Sequence, residues 1–175
     1  MPEWVQAVLD FVRHNQQWAA PIVFALAFAE SLAFVSLIAP ATVLLWGIGG
    51  LVGLAGLAFW PIWFAAAIGA ALGDWLSYWL GFHFHDRIVK LWPLSRHPDL
   101  VKRTHELFEK WGVAGVFIGR FFGPLRAIVP LIAGAVRMPR LPFQIANWSS
   151  AFVWATLTLT PGMVGMEWLG KYVGK

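Results

Sequence analysis

The sequence predicts an all-α membrane protein with two re-entrant, broken helical hairpins plus transmembrane helices in an inverted repeat, and with amphipathic helices at the interface. Three observations support this fold class. The 175-residue chain is 59% hydrophobic and only 13% charged, whereas soluble domains contain about 25% charged residues. Residues 31–73 and 141–166 contain no charged side chain, and each stretch exceeds the ~20 residues that cross a bilayer. Prolines and glycines interrupt the apolar sequence near residues 40 and 124.

The composition excludes several classes of protein and site. The chain has no cysteine, so disulfides and thiolate metal sites are not available to it. Its net charge of +4 comes from basic residues beside apolar segments, which is typical of membrane topology rather than of nucleic-acid binding. Glu3 and Asp10 interrupt any secretory signal pattern, so we expect no cleaved leader. We expect no cofactor and no metal.

The first half of the chain divides into an interfacial helix and a first repeat. Residues 1–19 alternate polar and apolar side chains at a period near 3.6, which predicts an amphipathic helix lying on the membrane. Residues 20–82 form the first repeat. It begins with a helix from Pro21, which is favoured at a first helical position, breaks at Pro40 and Thr42, and ends with a span over residues 60–82.

The second half repeats this order. Residues 83–112 form a hydrophilic loop, predicted to be cytoplasmic from its basic residues, with an amphipathic helix that starts after Pro98 and ends at Gly112. Residues 113–162 form the second repeat, whose hairpin bends at Gly123, Pro124 and Pro130 and is followed by a span over 141–162; residues 163–175 form a tail. We treat residues 1–175 as a single membrane domain.

The two broken segments share a spacing. Glu30 precedes Pro40 by ten residues, and Arg120 precedes Pro130 by ten. If each segment turns back to its starting side, the two halves have opposite orientation, and the substrate site lies where the broken elements meet near the bilayer midplane. The alternative is that both prolines are ordinary helix kinks and that the shared spacing is a coincidence.

Two arginines are the first candidate site residues. Arg120 and Arg126 flank the Gly123-Pro124 bend within an otherwise apolar stretch, and charges at membrane depth usually mark function. A guanidinium group binds phosphate through two parallel N–H donors and stays charged when buried. The spacing therefore predicts a phosphate clamp. The alternative is a pair of side chains that snorkel to the interface.

Glu30 and Asp74 are the candidate acidic partners. A carboxyl group balanced between burial, which raises its pKa, and an arginine, which lowers it, suits proton coupling. A permanent structural ion pair with Arg120 or Arg126 is equally compatible with the position of Glu30 in an apolar segment. Asp74 either lines the same cavity or pairs with an arginine; the alternative is that the loop satisfies it near the end of its helix.

The remaining polar residues favour simpler roles. Asn147, Ser149 and Ser150 are expected to support helix packing through side-chain hydrogen bonds, and His83 and His85 to lie at the interface. The sequence has no catalytic triad order, phosphate loop, nucleotide-binding glycine motif or metal cluster. We therefore do not expect an enzyme.

At this point the chain resembles a known family. Residues 117–138, FIGRFFGPLRAIVPLIAGAVRM, followed by Phe143 and Asn147, resemble the arginine motif of the DedA family, also called SNARE-associated or VTT-domain proteins. Gly73-Asp74 with Tyr78 and Gly81 is similar to the family's Gly-Asp helix. The segment with Glu30 and Pro40 is similar to its first re-entrant segment.

The resemblance implies a bacterial inner-membrane, multi-pass protein with two facing re-entrant hairpins. It also implies movement of lipid-linked phosphate carriers such as undecaprenyl phosphate, or of phospholipids, with links to the proton motive force. Glu30, Arg120 and Arg126 match the family's functional positions. Many members have Gly and then an acidic residue after the first hairpin proline, whereas this chain has Ala41 and Thr42, so proton coupling falls to Glu30 or Asp74.

We therefore predict a transporter or flippase for a lipid phosphate, with membrane lipids as partners and no nucleic acid. Gly-rich helix faces permit a homodimer. Alternatives are an accessory membrane protein with a structural ion pair, a small-ion transporter that supports the proton motive force, and a membrane-embedded enzyme acting on lipid phosphates.

Overall fold

The described part of the chain is helical. The computed structural model describes residues 10–11, 14–32, 47, 49–50, 53, 55–84, 98–122 and 125–173. Across these ranges the main helices, in chain order, are α1 (Gln16–Ser31), α2 (Phe59–Phe84), α3 (Pro98–Trp111), α4 (Ala114–Gly119), α5 (Leu125–Ala135) and α6 (Arg140–Val173). No strand occurs within the same ranges, which confirms the all-α class.

Helix α2 is the centre of the packing. It contacts α1, α5 and α6, and its buried face is made largely of alanine, glycine and serine. Its 26 residues extend for about 39 Å at 1.5 Å per residue. Among the described helices, α2 is the one long and apolar enough to cross a membrane by length and composition. It coincides with the span predicted over residues 60–82.

Glycines let the neighbouring backbones approach α2 closely. A Cβ atom added at Gly69 would lie 2.5 Å from the carbonyl oxygen of Phe24 in α1. On the next turns of α2, an added Cβ at Gly81 would overlap the Leu131 carbonyl oxygen of α5. One at Gly134 of α5 would overlap the Tyr78 carbonyl oxygen. Small residues at such positions are how membrane helices gain close van der Waals packing.

Helix α3 confirms the predicted amphipathic helix. It begins at Pro98 and ends at Trp111, and Gly112 follows with a φ of 54°, a backbone conformation that glycine adopts without steric cost. Its Thr104 side chain is buried, whereas Lys102 and Glu106 are exposed. Helix α3 packs on α4 and α5 and so anchors the second broken segment.

The second apolar segment is broken, but at one place rather than two. Helix α4 ends at Gly119, residues 120–122 form a turn or bend, and α5 starts at Leu125. The two short helices lie side by side, since a Cβ at Gly119 would meet the Val129 side chain. Pro130, predicted to mark a bend, instead lies inside α5 and is buried.

Pro21 is likewise inside a helix. We predicted a helix start at this residue, but α1 begins at Gln16. Pro21 is the sixth residue of α1 and lacks the N–H that would otherwise bond to the Gln17 carbonyl, so α1 continues with one backbone hydrogen bond fewer. Helix α6 also runs through a proline, Pro161, and continues to Val173, so the predicted tail begins as helix.

A capped turn joins α5 to α6 and fixes both to α2. Arg137 has a φ of 55°, the N–H of Arg137 bonds to the Gly134 carbonyl, and the N–H of Met138 bonds to the Ala133 carbonyl. This pattern is a Schellman motif with arginine at the position that glycine usually takes. The Tyr78 hydroxyl of α2 donates to the Met138 carbonyl over 2.5 Å.

Several predicted features lie outside the described residues. These are the first hairpin bend at Pro40 and Thr42, the second bend at Gly123 and Pro124, and the first nine residues of the amphipathic helix. Next to the first bend, Gly49 is buried and its Cα position faces the Leu159 backbone of α6. The re-entrant path of both segments and the inverted repeat therefore stay predictions.

We predict that Gly134→Ala weakens the packing of α5 on α2. The new methyl group must displace the Tyr78 backbone, and overpacking of this kind typically lowers the free energy of unfolding by about 1–3 kcal/mol. The measurement is the thermal midpoint of the purified protein in detergent. Gly47→Ala is the matched control, because a Cβ at Gly47 has nothing within 4 Å. Equal midpoints for the two variants would contradict the close approach of α2 and α5.

Candidate functional site

Four charged side chains meet in the interior of the helix bundle. Glu30 lies at the end of α1, Asp74 in the middle of α2, Arg120 directly after α4, and Arg126 in the first turn of α5. We call these four residues the charge cluster. Glu30, Asp74 and Arg120 are buried, and the Arg126 side chain keeps 12% of its surface exposed. The predicted meeting of the arginines with Glu30 and Asp74 is thus present in the structure.

Arg126 pairs with Glu30. Its Nη1 atom lies 2.9 Å from Oε1 of Glu30, whose side chain is only 2% exposed. The guanidinium carbon of Arg126 lies over the Trp154 ring of α6, with Cζ 4.9 Å from the ring centroid. Aromatic faces attract cations, most strongly where water is excluded. Arg126 is therefore held between α1 and α6.

Arg120 pairs with Asp74 and with a neutral amide. Its Nη2 atom donates to Oδ2 of Asp74 and to Oδ1 of Asn147, the latter over 2.7 Å. The Asn147 amide nitrogen then donates to the Ala71 carbonyl over 2.9 Å. Asn147 is fully buried, so this chain of hydrogen bonds joins α6, α2 and the turn after α4 in one network.

Some donors of both arginines are left over. Nε and Nη1 of Arg120 and Nη2 of Arg126 are buried and have no hydrogen-bond partner among the described residues. A buried donor without an acceptor costs about 1–3 kcal/mol, and more when it is charged. Leftover guanidinium N–H groups are the donors that a phosphate or carboxylate oxygen would satisfy.

The charge cluster is neutral as a whole. Its two guanidinium groups balance two carboxylates, and Arg126 also acts electrostatically on Asp74. An anion that binds here must either replace a carboxylate at an arginine or arrive together with a proton. The arrangement thus differs from the simple clamp we predicted, in which two free arginines face the ligand.

Sequence reasoning missed Asn147 as a partner of Arg120 and assigned it to helix packing. The sequence did contain a signal for this contact. Asn147 is an amide side chain within an apolar helix, and a buried amide normally has a hydrogen-bond partner. Ser149 and Ser150 do bond to carbonyls of their own helix, at Ile145 and Asn147. No group of three or more potential metal ligands occurs among the described residues. His83 is exposed at the end of α2.

Comparison with known proteins identifies the family of this chain. The VTT domain model matches residues 39–164. The inner membrane protein YabI of Escherichia coli is 35% identical over 161 residues, which cover 91% of this chain and 63% of YabI. An uncharacterized membrane protein of Buchnera aphidicola is 30% identical over 94% of this chain and 64% of its own length.

A second Escherichia coli relative, the inner membrane protein YqjA, is 30% identical over 154 residues, which cover 86% of this chain and 67% of YqjA. The chain thus spans about two thirds of the length of the curated relatives it matches. No solved structure shows a significant match. The domain match covers most of the chain and includes Asp74, both arginines and Asn147. The chain therefore belongs to the VTT-domain family of membrane proteins, also known as the DedA family.

Proposed function

We propose that this protein translocates a lipid with a phosphate headgroup across the bacterial inner membrane, and that Arg126 is the residue that binds the phosphate. The two Escherichia coli relatives are named inner membrane proteins, which supports that location. In this proposal the polypeptide crosses the membrane more than once, through α2 and α6. The lipid-linked carriers implied by the family resemblance, such as undecaprenyl phosphate, are the preferred substrates, and phospholipids are the alternative.

The observation that supports this proposal most directly is the environment of Arg126. It is the most exposed residue of the charge cluster, since the Arg120 and Asp74 side chains are only 4% and 8% exposed. One edge of its guanidinium group bonds Glu30, whereas Nη2 has no acceptor within the described residues. A phosphate that takes up this donor gains a charge-assisted bond in a low-dielectric setting.

The proposed cycle is an exchange of anions at Arg126. In the resting state Glu30 occupies the guanidinium group. A phosphate headgroup approaches, Glu30 takes up a proton and releases Arg126, and the phosphate replaces it. Because the headgroup then stays paired with a cation, the cost of moving its charge through hydrocarbon falls. Re-ionisation of Glu30 expels the phosphate, and the lipid tail remains in the bilayer throughout.

The contacts of Arg120 support a second, structural role within the same site. Its Nη2 atom is shared between Asp74 and Asn147, and Asn147 in turn is bonded to the α2 backbone. Both partners lie on spans rather than on the broken segment, so the network ties the turn after α4 to α2 and α6. This is the part of the charge cluster that an accessory, non-transporting protein would also need.

We predict that Arg126→Ala lowers the initial rate of lipid phosphate translocation at least about tenfold, since one charge-assisted hydrogen bond contributes about 1.5–3 kcal/mol. The assay is leaflet accessibility of a fluorescent short-chain lipid phosphate in proteoliposomes, read with a membrane-impermeant quencher. Arg103→Ala is the matched control, because Arg103 is an exposed arginine on α3. A wild-type rate in Arg126→Ala would remove Arg126 from the mechanism.

The exchange with Glu30 has its own test. Glu30→Gln keeps a hydrogen-bond acceptor for Arg126 but does not titrate, so we predict translocation that no longer responds to an imposed pH gradient. The measurement is the same assay with the gradient present and absent. If the variant folds, as judged by its elution from a sizing column, and still follows the gradient as the wild type does, Glu30 is not the coupling residue.

The structural role of Arg120 is tested by a double-mutant cycle. Asp74→Asn leaves the Arg120 charge buried without its carboxylate, and Arg120→Gln leaves the Asp74 charge buried without its cation. Each variant is therefore expected to lower the free energy of unfolding by about 3–5 kcal/mol. The double variant should lower it by less than the sum of the two. The readout is the free energy of unfolding in detergent. The control cycle uses Lys102 and Glu106 of α3, an exposed pair at 3.9 Å, whose coupling should stay below about 0.5 kcal/mol. Additive costs at Arg120 and Asp74 would contradict the network.

A further inference from the structure

A second feature lies away from the charge cluster, at the end of α2. There the last turns of α2 and the first residue of α6 enclose a partly open groove of about 360 Å³. Five of the lining side chains carry aromatic rings and one is an arginine, and they are Trp75, Tyr78, Trp79, Phe82, His83 and Arg140. No residue of the charge cluster is among the described lining residues, and none of those residues carries a carboxylate.

Two close contacts join side chains of the groove: Arg140 with Phe82, and His83 with Trp79. The Arg140 guanidinium carbon lies 5.0 Å from the Phe82 ring centroid, within the range of a cation–π contact. The His83 ring lies 4.2 Å from the Trp79 ring, centroid to centroid. Its Nδ1 atom is 2.9 Å from the Trp79 carbonyl oxygen. Because a carbonyl oxygen only accepts, Nδ1 is the donor in that bond.

The position of the groove along α2 indicates its depth in the membrane. Helix α2 is the candidate span, and the hydrophilic segment 83–112 begins at its last turns, so the groove lies at the level where acyl chains meet headgroups. Trp75 and Trp79 are about half exposed, which places rings rather than polar groups along its wall. Aromatic side chains at this depth suit ligands that have one apolar and one polar end.

We propose that this groove binds one anionic phospholipid of the membrane. An acyl chain lies along Trp75, Trp79 and Phe82, and the headgroup phosphate bonds the N–H edge of Arg140. Charge complementarity favours this occupant over a lipid without net charge, because the described lining residues offer a cation, Arg140, and no carboxylate. Arginine also suits phosphate through two parallel donors. The bound lipid bridges the end of α2 and the start of α6, and thereby supports the junction that Tyr78 and Met138 form.

The test is lipid binding to the purified, delipidated full chain in a neutral detergent. Phosphatidylglycerol is added to the wild type, and both the thermal midpoint and the bound lipid seen by native mass spectrometry are recorded. We expect a rise in the midpoint and one retained phosphatidylglycerol. Phosphatidylcholine with the same acyl chains carries the same phosphate but also a choline cation that cancels its charge, and inorganic phosphate lacks acyl chains. Each should therefore give a much smaller effect at the same concentration.

Variants separate the two ends of the groove. Arg140→Gln should weaken phosphatidylglycerol binding about tenfold, and Arg140→Lys should weaken it less because the charge remains. Trp79→Leu should reduce the effect of both lipids. Arg103→Gln is the matched control, as an exposed arginine on α3 outside the groove, and should bind as the wild type does. Because Arg140 is exposed, its variants should have the wild-type midpoint without lipid.

Two results would overturn the proposal. One is equal stabilisation of the wild type by phosphatidylglycerol and phosphatidylcholine, which would indicate an unselective lipid contact. The other is unchanged phosphatidylglycerol binding in Arg140→Gln. Neither result depends on translocation, because Arg126→Ala should keep phosphatidylglycerol binding at the groove even where it abolishes transport.

Discussion

The burial of two guanidinium groups among apolar helices constrains the rest of the structure. An arginine at membrane depth costs several kcal/mol unless a carboxylate and further acceptors meet it. Here the carboxylates come from α1 and α2, whereas Arg120 directly follows α4 and Arg126 lies in the first turn of α5. The helices must therefore approach closely enough for short side chains such as Asp74 to reach. Gly69, Gly73, Gly81 and Gly134 allow that approach, because a side chain at any of them would collide with a facing backbone or side chain. The small-residue faces and the ion pairs thus depend on each other.

The two ion pairs have different surroundings, and this difference separates stability from function. Arg120 is held by a carboxylate and by an amide that is itself anchored to the α2 backbone. Replacing any of these partners would leave a buried polar group unpaired. Arg126 is held by Glu30 and lies over the ring of Trp154. In the proposed function the two arginines therefore have different roles: Arg120 holds the turn in place, and Arg126 exchanges its carboxylate for the phosphate.

Sequence patterns predicted the local elements well, because amphipathic period and turn chemistry are local properties. The amphipathic helix from Pro98 to Trp111, its end at Gly112 and the apolar span in α2 follow from such patterns. The patterns also predicted that the arginines and acids meet. They left open which acid pairs with which arginine, because helix crossings bring Arg120 to Asp74 and Arg126 to Glu30 from distant parts of the chain.

The prolines were predicted to mark the start or the bend of a helix, but Pro21 and Pro130 both lie inside helices. There the packing of neighbouring side chains stabilises the helix by more than one lost hydrogen bond costs. Asn147 was undervalued for a similar reason, since its partner lies on another segment.

The neutrality of the charge cluster has a consequence for how an anion could use it. Two cations and two carboxylates already balance, so an added phosphate brings uncompensated negative charge into a low-dielectric site, where such charge is expensive. Uptake of a proton by a carboxyl group of the cluster removes that excess. Glu30 is the better placed of the two carboxyls, because its partner Arg126 is the more exposed arginine and has a donor to offer. Thermodynamic reciprocity then requires that whatever helps the proton bind also helps the phosphate bind, by the same factor. In the proposed cycle this linkage runs through Glu30 and Arg126, so it does not call on an acidic residue at position 42.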